Sequence, residues 1–450
     1  MKHPDCIVIG GGMAGLSAAH ALRSRHVLVL EESHRPGGRV HSLMAGDYWL
    51  NFGAHMFGGP ETLLGALTTE FNLPSEPIRG RLMGMIYGGK RLLRHPPESY
   101  PFLLPFSLRE RFAMLRMGLA LRLGSSSYVT HMKGCDDATQ LPQHALSFRN
   151  TRTLSQAIGQ MPPRVAEFLT AITERNGGDP DDMAEGHALR SFTNVWSTHA
   201  PGRNIIGGSA LLPQAMANAL GDGIRYGHSV DRVTRDAQGV TVQYRHGTTH
   251  ASVRARTAII AVPAPVAARI MHDLPPATLN ALRNVTYGPF LSASVLTRET
   301  TAMPWDGHYA IATPGRSFSV LFNMATTLRS GVRRPGGSLM LFRGARGAAA
   351  LMEMTDAAIE QQFRRDLLDL FPEAKDILGD IVVQRWPLGA PFSRPGRAAL
   401  QPGLTAPLEP AFLAGDYMEF PNMEAAVASG QAAARKALAL LTAPGHKTPA

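Results

Sequence analysis

Three glycines near the start of the chain have the spacing of a loop that holds a diphosphate. Gly10, Gly12 and Gly15 fit the pattern G-x-G-x-x-G, and Ala14 lies inside the same loop. Gly10 would allow a tight turn, Gly12 a close approach of the backbone to phosphate, and Gly15 close helix–strand packing. Glu31 follows 21 residues after Gly10, where a carboxylate can accept hydrogen bonds from ribose hydroxyls. Together these residues predict a dinucleotide site.

The residues around this loop predict the elements that it needs. The apolar run 6–9 is typical of a buried strand, and 16–22 is typical of a helix. The N-terminus of that helix would offer free N–H groups and the positive end of its dipole to the phosphates. A second apolar run, 26–30, ends directly before the acid. The order of strand, glycine loop, helix, strand and acid predicts a Rossmann-like α/β unit.

A second glycine element, Arg-Pro-Gly-Gly-Arg at 35–39, follows and is not part of a minimal NAD fingerprint. With it, the chain resembles the flavin-dependent amine oxidase superfamily, which also includes phytoene desaturases and protoporphyrinogen oxidases. The resemblance implies FAD as the cofactor and a stretch near 53–55 that approaches the flavin ring. The cofactor contacts that it implies in this half of the chain are Glu31, Glu32, Gly38, Arg39, Gly53, Ala54 and His55.

The C-terminal part of the chain resembles the same superfamily. Residues 411–417 predict a buried strand that ends at Gly415 and Asp416, and an Ala-rich helix follows to about residue 441. The resemblance implies that Gly415 and Asp416 approach the ribityl–phosphate region. It also implies that the helix start near Met423 and Glu424 points at the N1–C2=O edge of the flavin. Backbone N–H groups and the helix dipole would stabilise the negative charge of reduced flavin there.

The middle of the chain adds two implied contacts and the domain organisation. The backbone of Val230 would lie against the adenine, and Trp386 would also contact the cofactor. We expect an α/β fold with a discontinuous Rossmann-like FAD-binding domain and an inserted, mixed α+β substrate domain. The predicted boundaries are 1–85, 203–285 and 380–441 for the FAD-binding domain, 86–202 (largely helical) and 286–379 for the substrate domain, and 442–450 for a flexible tail.

Composition limits the possible partners. The 45 Lys and Arg residues exceed the 35 Asp and Glu residues by 10, but they form no run of five or more and no nucleic-acid reading motif. We therefore predict a small-molecule substrate and no nucleic acid. Residues 107–123 begin with a capping box and mix arginines with Phe112, Leu115 and Leu119. Such a helix either packs between domains or makes a peripheral contact with a membrane.

Two cysteines are too few for a disulfide framework or a Cys-based zinc module, and we predict no metal site. No stretch of 18 uninterrupted apolar residues is present, so the sequence predicts no spanning helix. The N-terminal apolar run resembles a secretory signal, but its glycines belong to the predicted nucleotide site. We expect a cytoplasmic protein with reduced thiols.

The predicted chemistry follows from the flavin and from departures from the family pattern. Amine oxidases of the family carry a lysine that bridges through water to flavin N5, but this chain has no lysine between Lys133 and Lys375. Ser292 falls where that lysine would lie, and Pro391 and Asn422 fall where an aromatic cage would hold the amine. We therefore favour dehydrogenation of a small, mostly apolar or aromatic substrate by hydride transfer to flavin N5.

The candidate catalytic residues are His55 and Tyr417, whose reach to a substrate proton the sequence does not define. Three alternatives remain open. The first is an amine oxidase acting on a C–N bond. The second is a non-redox flavoenzyme, because 53–57 resembles the Gly-Ala-His loop of UDP-galactopyranose mutases. The third is a non-catalytic FAD-binding protein.

Overall fold

A computed structural model describes residues 3–79, 84–135, 137, 140–193, 195, 202–329 and 332–443. The strands of the described part are β1 (Cys6–Ile9), β2 (Val27–Leu30), β3 (Ser42–Ala45), β4 (Tyr48–Asn51), β5 (Ser75–Pro77), β6 (Gly84–Tyr87), β7 (Lys90–Leu92), β8 (Arg203–Ile205), β9 (Ile224–Arg225), β10 (His228–Asp236), β11 (Gly239–His246), β12 (Thr249–Ala255), β13 (Thr257–Ile260), β14 (Thr286–Thr297), β15 (Ala310–Ala312), β16 (Val320–Asn323), β17 (Gly337–Gly344), β18 (Leu378–Phe392) and β19 (Ala411–Leu413).

The α-helices of the same part are α1 (Met13–Ala21), α2 (Leu63–Glu70), α3 (Tyr100–Leu103), α4 (Leu108–Met132), α5 (Leu141–Ser147), α6 (Leu154–Ile158), α7 (Pro163–Thr173), α8 (Glu185–Phe192), α9 (Leu211–Leu220), α10 (Ala264–Ile270), α11 (Pro276–Arg283), α12 (Ala345–Met352), α13 (Asp356–Leu370), α14 (Gln401–Thr405) and α15 (Met423–Thr442). Most of the predicted tail, 444–450, lies outside the described residues.

A five-stranded parallel sheet joins the two ends of the chain. Its strand order is β19-β13-β1-β2-β9, with every neighbouring pair parallel. Helices cover both faces, so every residue of β1, β2 and β13 is buried and the strands show no alternation of apolar and polar residues. This arrangement confirms the predicted Rossmann-like α/β domain.

Helices α1 and α15 pack closely against each other beside this sheet. A Cβ atom at Gly430 would lie 2.1 Å from the carbonyl oxygen of Ala14, so only glycine fits at that point of the contact. The hydroxyl of Ser17 donates to the carbonyl of Val427 at 3.2 Å, 410 residues further along the chain. The N-terminal and C-terminal segments therefore form one unit.

The second large sheet has seven strands in the order β18-β14-β17-β16-β15-β6-β7. It contains β6, β7 and β18. We had predicted domain boundaries between residues 85 and 86 and between residues 379 and 380. The strand β18 pairs with β14 from Leu378 to Phe392, and a register shift near Gly288 accommodates its prolines. In the structure, the chain therefore re-enters the Rossmann-like unit only after Phe392. A three-stranded meander, β10-β11-β12, lies beside the parallel sheet.

Helices α3 to α8 form a layer in the segment that we expected to be helical. The long helix α4 begins with the predicted capping box, in which the Ser107 N–H donates to the Glu110 carboxylate at 2.8 Å. Its inner face packs in a cluster with α7, α8 and strand β6. Among the described helices, none is both long and apolar enough to cross a bilayer.

Candidate functional site

The first glycine loop has the shape that a diphosphate requires. A Cβ at Gly15 would lie 1.9 Å from the carbonyl oxygen of Gly10, so helix α1 contacts the turn directly. By contrast, nothing lies within 4 Å of the position that a Cβ at Gly12 would take. Gly12 is also the N-cap of α1 and offers no side-chain acceptor to the first N–H groups. Open space and unpaired donors at a helix N-terminus fit an anionic phosphate.

The second glycine element packs onto the first. The Gly37 N–H donates to the carbonyl of Gly11 at 2.8 Å, and Gly38 faces the Cα of Gly12. The carboxylate of Glu31 accepts from the Gly11 N–H at 2.5 Å. The predicted phosphate loop, second glycine element and acid therefore occupy one place at the end of the parallel sheet.

The predicted adenosine contacts lie at the same end. The second oxygen of Glu31 accepts from the N–H and the hydroxyl of Ser33 at 2.8 and 2.6 Å. The carbonyl of Glu31 accepts from the N–H of His228 at 2.9 Å, which brings the start of β10 and nearby Val230 to this acid. Glu32 is exposed one residue further on. The structure brings Glu31 and Val230 together and leaves the Glu32 side chain at the surface.

Arg39 and Asp416 form an ion pair between the two ends of the chain. The guanidinium Nη2 lies 2.7 Å from Oδ1 of Asp416, whose side chain is 7% exposed. Nη1 of Arg39 donates to the carbonyl of Gly389 at 3.0 Å. Burial opposes the charge on Arg39, but the nearby carboxylate outweighs that effect and raises the pKa of Arg39. The Gly415 N–H donates to the Ser429 hydroxyl at 2.9 Å, which fixes the loop that carries the acid.

The start of α15 has one unexpected contact. The carboxylate of Glu424 accepts from the first two backbone N–H groups of α2 at 2.7 and 3.1 Å. It therefore caps another helix, and only the backbone of Glu424 is left for the predicted cofactor contact. Asn422 caps α15 by accepting from the Ala425 N–H at 2.7 Å. The N–H groups of Met423 and Glu424 lie in the first turn, where no intrahelical acceptor exists.

The loop at 53–55 lies against Arg39, since the Ala54 N–H donates to the Arg39 carbonyl at 3.0 Å. The loop is also anchored from the seven-stranded sheet. The indole N–H of Trp386 and the hydroxyl of Ser292 both donate to the carbonyl of Phe52, at 2.9 and 2.5 Å. Ser292 is therefore engaged in holding this loop.

His55 pairs with a residue that the sequence did not indicate. Its Nδ1 lies 2.9 Å from the Gly53 carbonyl and 3.0 Å from Nδ2 of Asn51, which itself donates to that carbonyl at 2.9 Å. Its Nε2 forms a hydrogen bond with the hydroxyl of Tyr309 at 2.6 Å. Burial lowers the pKa of His55 to about 4, although the bond to Gly53 opposes that change. The imidazole is therefore neutral at pH 7.

Aromatic side chains of the seven-stranded sheet surround this pair. The ring of Phe322 meets His55 edge-on at 5.2 Å, and Tyr309 is buried beside it. Phe342 and Phe290 continue the same wall, with their ring centroids 4.9 Å apart. The wall consists of aromatic rings, and among the described residues the polar side chains in hydrogen-bond contact with the His55 ring are Asn51 and Tyr309.

One cation interacts with this wall. Arg175 lies within electrostatic range of Tyr309 and Glu174, and burial lowers the pKa of its guanidinium. Among the described residues its hydrogen bond is from Nε to the carbonyl of Ile172, at 3.4 Å. Burial also raises the pKa of Tyr309 well above its ordinary range, so the phenol keeps its proton.

Tyr417, the second candidate catalytic residue, is not brought to His55. Its ring is 2% exposed and belongs to the core beneath the parallel sheet. Its hydroxyl has no hydrogen-bond partner among the described residues, and burial raises the pKa of the phenol. The contacts of Tyr417 are thus those of a core residue beside Asp416.

Glu174, which precedes Arg175, should make the stability of the protein depend on pH. It is fully buried, and burial raises its pKa from 4.5 to about 7 despite the nearby Arg343 and Ser319. The folded protein therefore binds more protons than the unfolded chain between pH 4.5 and 7, and stability declines as the pH rises through that window. We expect Glu174→Gln to remove this decline.

Urea unfolding at pH 5 and pH 8 measures the effect. The free energy of unfolding of Glu174→Gln relative to wild type should increase by about 2 kcal/mol from the lower to the higher pH. Asp181, an exposed acid of the same segment, gives the matched control Asp181→Asn. A Glu174→Gln difference that is the same at both pH values would contradict the assignment.

The chain matches a known protein family over most of its length. Residues 13–438 match the family described as flavin containing amine oxidoreductase, and the chain belongs to that family. The family consists of flavin-dependent oxidoreductases, and its cofactor is FAD. The glycine loops, the Arg39–Asp416 pair and the starts of α1 and α15 are the residues that fit this cofactor.

Individual relatives are distant. An L-amino acid dehydrogenase of Synechocystis sp. is 23% identical over 305 residues, which cover 60% of this chain and 58% of the relative. Protoporphyrinogen oxidase 1 of Spinacia oleracea is 22% identical over 479 residues, which cover 92% of this chain and 80% of the relative. The cyclohexylamine oxidase of Brevibacterium oxydans superposes with a TM-score of 0.77 and 21% identity, covering 98% of this chain and 100% of that structure. This last likeness shows the fold.

Proposed function

We propose that the protein dehydrogenates a small, neutral, mostly apolar or aromatic substrate beside the loop 53–55. The observation that carries this proposal is the wall of Phe290, Tyr309, Phe322 and Phe342 next to a neutral His55. The glycine loops and the Arg39–Asp416 pair would hold FAD, which would supply the redox chemistry as the acceptor, at N5, of a hydride from a substrate C–H bond. The chain contributes positioning, exclusion of water and stabilisation of the charge that develops on the cofactor.

The residues of the chain divide these tasks. The Tyr309 hydroxyl fixes the imidazole of His55, which presents no charge to the substrate. The uncharged wall keeps water away from the reacting bond. The first turn of α15 offers N–H donors and the positive end of a 20-residue helix to negative charge.

The electrostatics disfavour a protonated amine as the substrate. Arg175 contributes a positive charge near Tyr309, and an ammonium group would be repelled by it. Ser292, which falls at the expected place of the lysine of amine oxidases, is engaged with the Phe52 carbonyl. The relatives include an L-amino acid dehydrogenase and a protoporphyrinogen oxidase, so substrates in this family are diverse.

Anaerobic mixing of the oxidised holoenzyme with candidate substrates tests the proposal. We expect neutral apolar or aromatic donors to bleach the flavin absorbance, and deuterium at the reacting carbon to slow the bleaching, because that C–H bond breaks. Bleaching by primary amines alone would establish amine oxidation instead. Turnover that needs previously reduced enzyme, without net oxidation, would establish the non-redox alternative. A protein that binds FAD and reacts with none of the panel would support a binding role.

A further inference from the structure

The outer face of α4 carries a continuous apolar stripe that the fold does not cover. Leu108, Phe112, Leu115, Leu119 and Leu123 are 83%, 71%, 44%, 61% and 63% exposed. At 100° per residue they lie within an arc of about 80°. A stripe of this length is uncommon on a monomer surface and marks an interaction site.

The same patch extends onto α3, the short helix that precedes α4. There Phe102 and Leu103 are 60% and 39% exposed. Both helices belong to the layer that packs on the seven-stranded sheet, and Pro105 and Ser107 separate them. We call the exposed apolar residues of α3 and α4, from Phe102 to Leu123, the outer stripe.

The outer stripe is not the face by which α4 packs into the core. The opposite face of α4 is already buried, with Met114, Met117, Leu121 and Tyr128 among its contacts. The hydroxyl of Ser125 donates to the Leu189 carbonyl at 3.2 Å on that side. The helix is therefore anchored by one face, and the other face is available to a partner.

Arginines border the outer stripe on both edges. Arg109 and Arg116 follow one edge, and Arg111 and Arg122 follow the other, as expected for a helix that lies in a lipid headgroup region. Arg109 and Arg122 are exposed and have no hydrogen-bond acceptor among the described residues. Residues 90–133 contain eight Lys or Arg and two Asp or Glu, which gives a net charge of +6.

We propose that the outer stripe binds the surface of an anionic lipid bilayer, with α4 parallel to the membrane plane. The leucines and phenylalanines enter the headgroup–acyl boundary, and the flanking arginines pair with lipid phosphates. A second copy of the chain is a less favourable partner, because two positively charged surfaces would face and repel each other. The binding is peripheral and is independent of the substrate that the enzyme oxidises.

Vesicle flotation of the full-length holoenzyme tests this proposal. We expect the protein to float with phosphatidylcholine vesicles that contain phosphatidylglycerol and to bind less well to phosphatidylcholine alone. Raised salt should weaken the binding to the anionic vesicles, since screening reduces the attraction of the arginines. Failure of the wild-type holoenzyme to float with either vesicle would overturn the proposal.

Substitutions in the outer stripe separate its apolar and charged parts. Phe112→Ser combined with Leu119→Ser should lower the partition coefficient about tenfold or more. Arg109→Ser and Arg122→Ser should each lower binding to anionic vesicles about fivefold and leave binding to phosphatidylcholine unchanged. All four side chains are solvent-exposed, so melting temperature and FAD content should match wild type.

The matched control is Val332→Ser, which removes a side chain that is 93% exposed and lies outside the outer stripe. It should bind vesicles as wild type does. Equal binding by the Phe112→Ser, Leu119→Ser variant and by wild type would overturn the proposal. So would a wild-type dimer that these substitutions dissociate while vesicle binding is absent, since the stripe would then serve a second copy.

Discussion

Replacement of Gly15 by alanine should strongly destabilise the Rossmann-like unit. The added methyl group would lie 1.9 Å from the carbonyl oxygen of Gly10, which belongs to the backbone of the turn. Neither group can rotate away, so α1 must move from the sheet and from α15. We expect a loss of about 3 kcal/mol or more, measured by urea unfolding, and purified protein with little FAD.

Gly12→Ala is the matched change. It should have little effect on stability and a large effect on FAD affinity. Its φ of −74° suits alanine, and nothing lies within 4 Å of the new methyl group. The stability cost should stay below about 1 kcal/mol, which is the loss at an N-cap. The methyl group would nevertheless occupy the space next to the open helix N-terminus. We expect FAD affinity to fall about tenfold or more, measured by fluorescence titration of the apoprotein.

Together, the two variants separate effects on FAD binding from effects on folding. A Gly15→Ala protein of normal stability would show that α1 and the turn are not in the contact described here. A Gly12→Ala protein with wild-type FAD affinity would show that the diphosphate does not approach this glycine. Equal loss of stability in both variants would remove the distinction between the two positions.

Local sequence patterns were sufficient to predict the parts of the molecule that depend on local structure. The strand β1 and the glycine loop follow from an apolar run and from glycine spacing, and both are found where they were expected. The capping box at Ser107 is equally local, because its partner is three residues away. Such features depend on neighbours in the sequence, and the sequence displays those neighbours directly.

Contacts between segments that are distant in the sequence were harder to predict. Residues 386–391 contain two prolines and a glycine, which is typical of a loop, but they continue β18 because the edge of the seven-stranded sheet tolerates the register shift at Gly288. Arg39 and Asp416 were both predicted to contact FAD, but their ion pair joins residues 377 positions apart. Glu424 was assigned to the cofactor through the start of α15, and the sequence did not indicate that its carboxylate caps α2.

Tyr309 is the largest omission, and its place explains why no pattern indicated it. It precedes β15, and its hydroxyl meets an imidazole 254 residues earlier in the chain. The contact exists because β15 lies in the middle of the seven-stranded sheet, with β16 and β6 as its neighbours. Only the strand order places the tyrosine opposite the loop 53–55, and that order is not visible from spacing.

Tyr309→Phe should lower turnover of the reacting substrate about 10- to 100-fold while the fold persists. The change keeps the ring that packs at 5.5 Å from Phe322 and removes the hydroxyl that forms a hydrogen bond with Nε2 of His55. The neutral imidazole would then be held from Nδ1 alone and would lose its fixed orientation. The loss of one buried hydrogen bond should cost about 1–2 kcal/mol in stability. Anaerobic rates of flavin bleaching provide the measurement.

Tyr48→Phe is the matched control, because it removes another buried hydroxyl, which donates to the Arg334 carbonyl at 3.2 Å and accepts from Arg329 at 3.0 Å. It should lose similar stability and keep its turnover, since its hydroxyl does not contact His55. His55→Ala and the double variant His55→Ala, Tyr309→Phe complete a mutant cycle. If Tyr309 acts through the imidazole, its substitution adds little once His55 is absent. Additive effects on the rate, or equal rates for the two Tyr→Phe variants, would show that Tyr309 contributes only to packing.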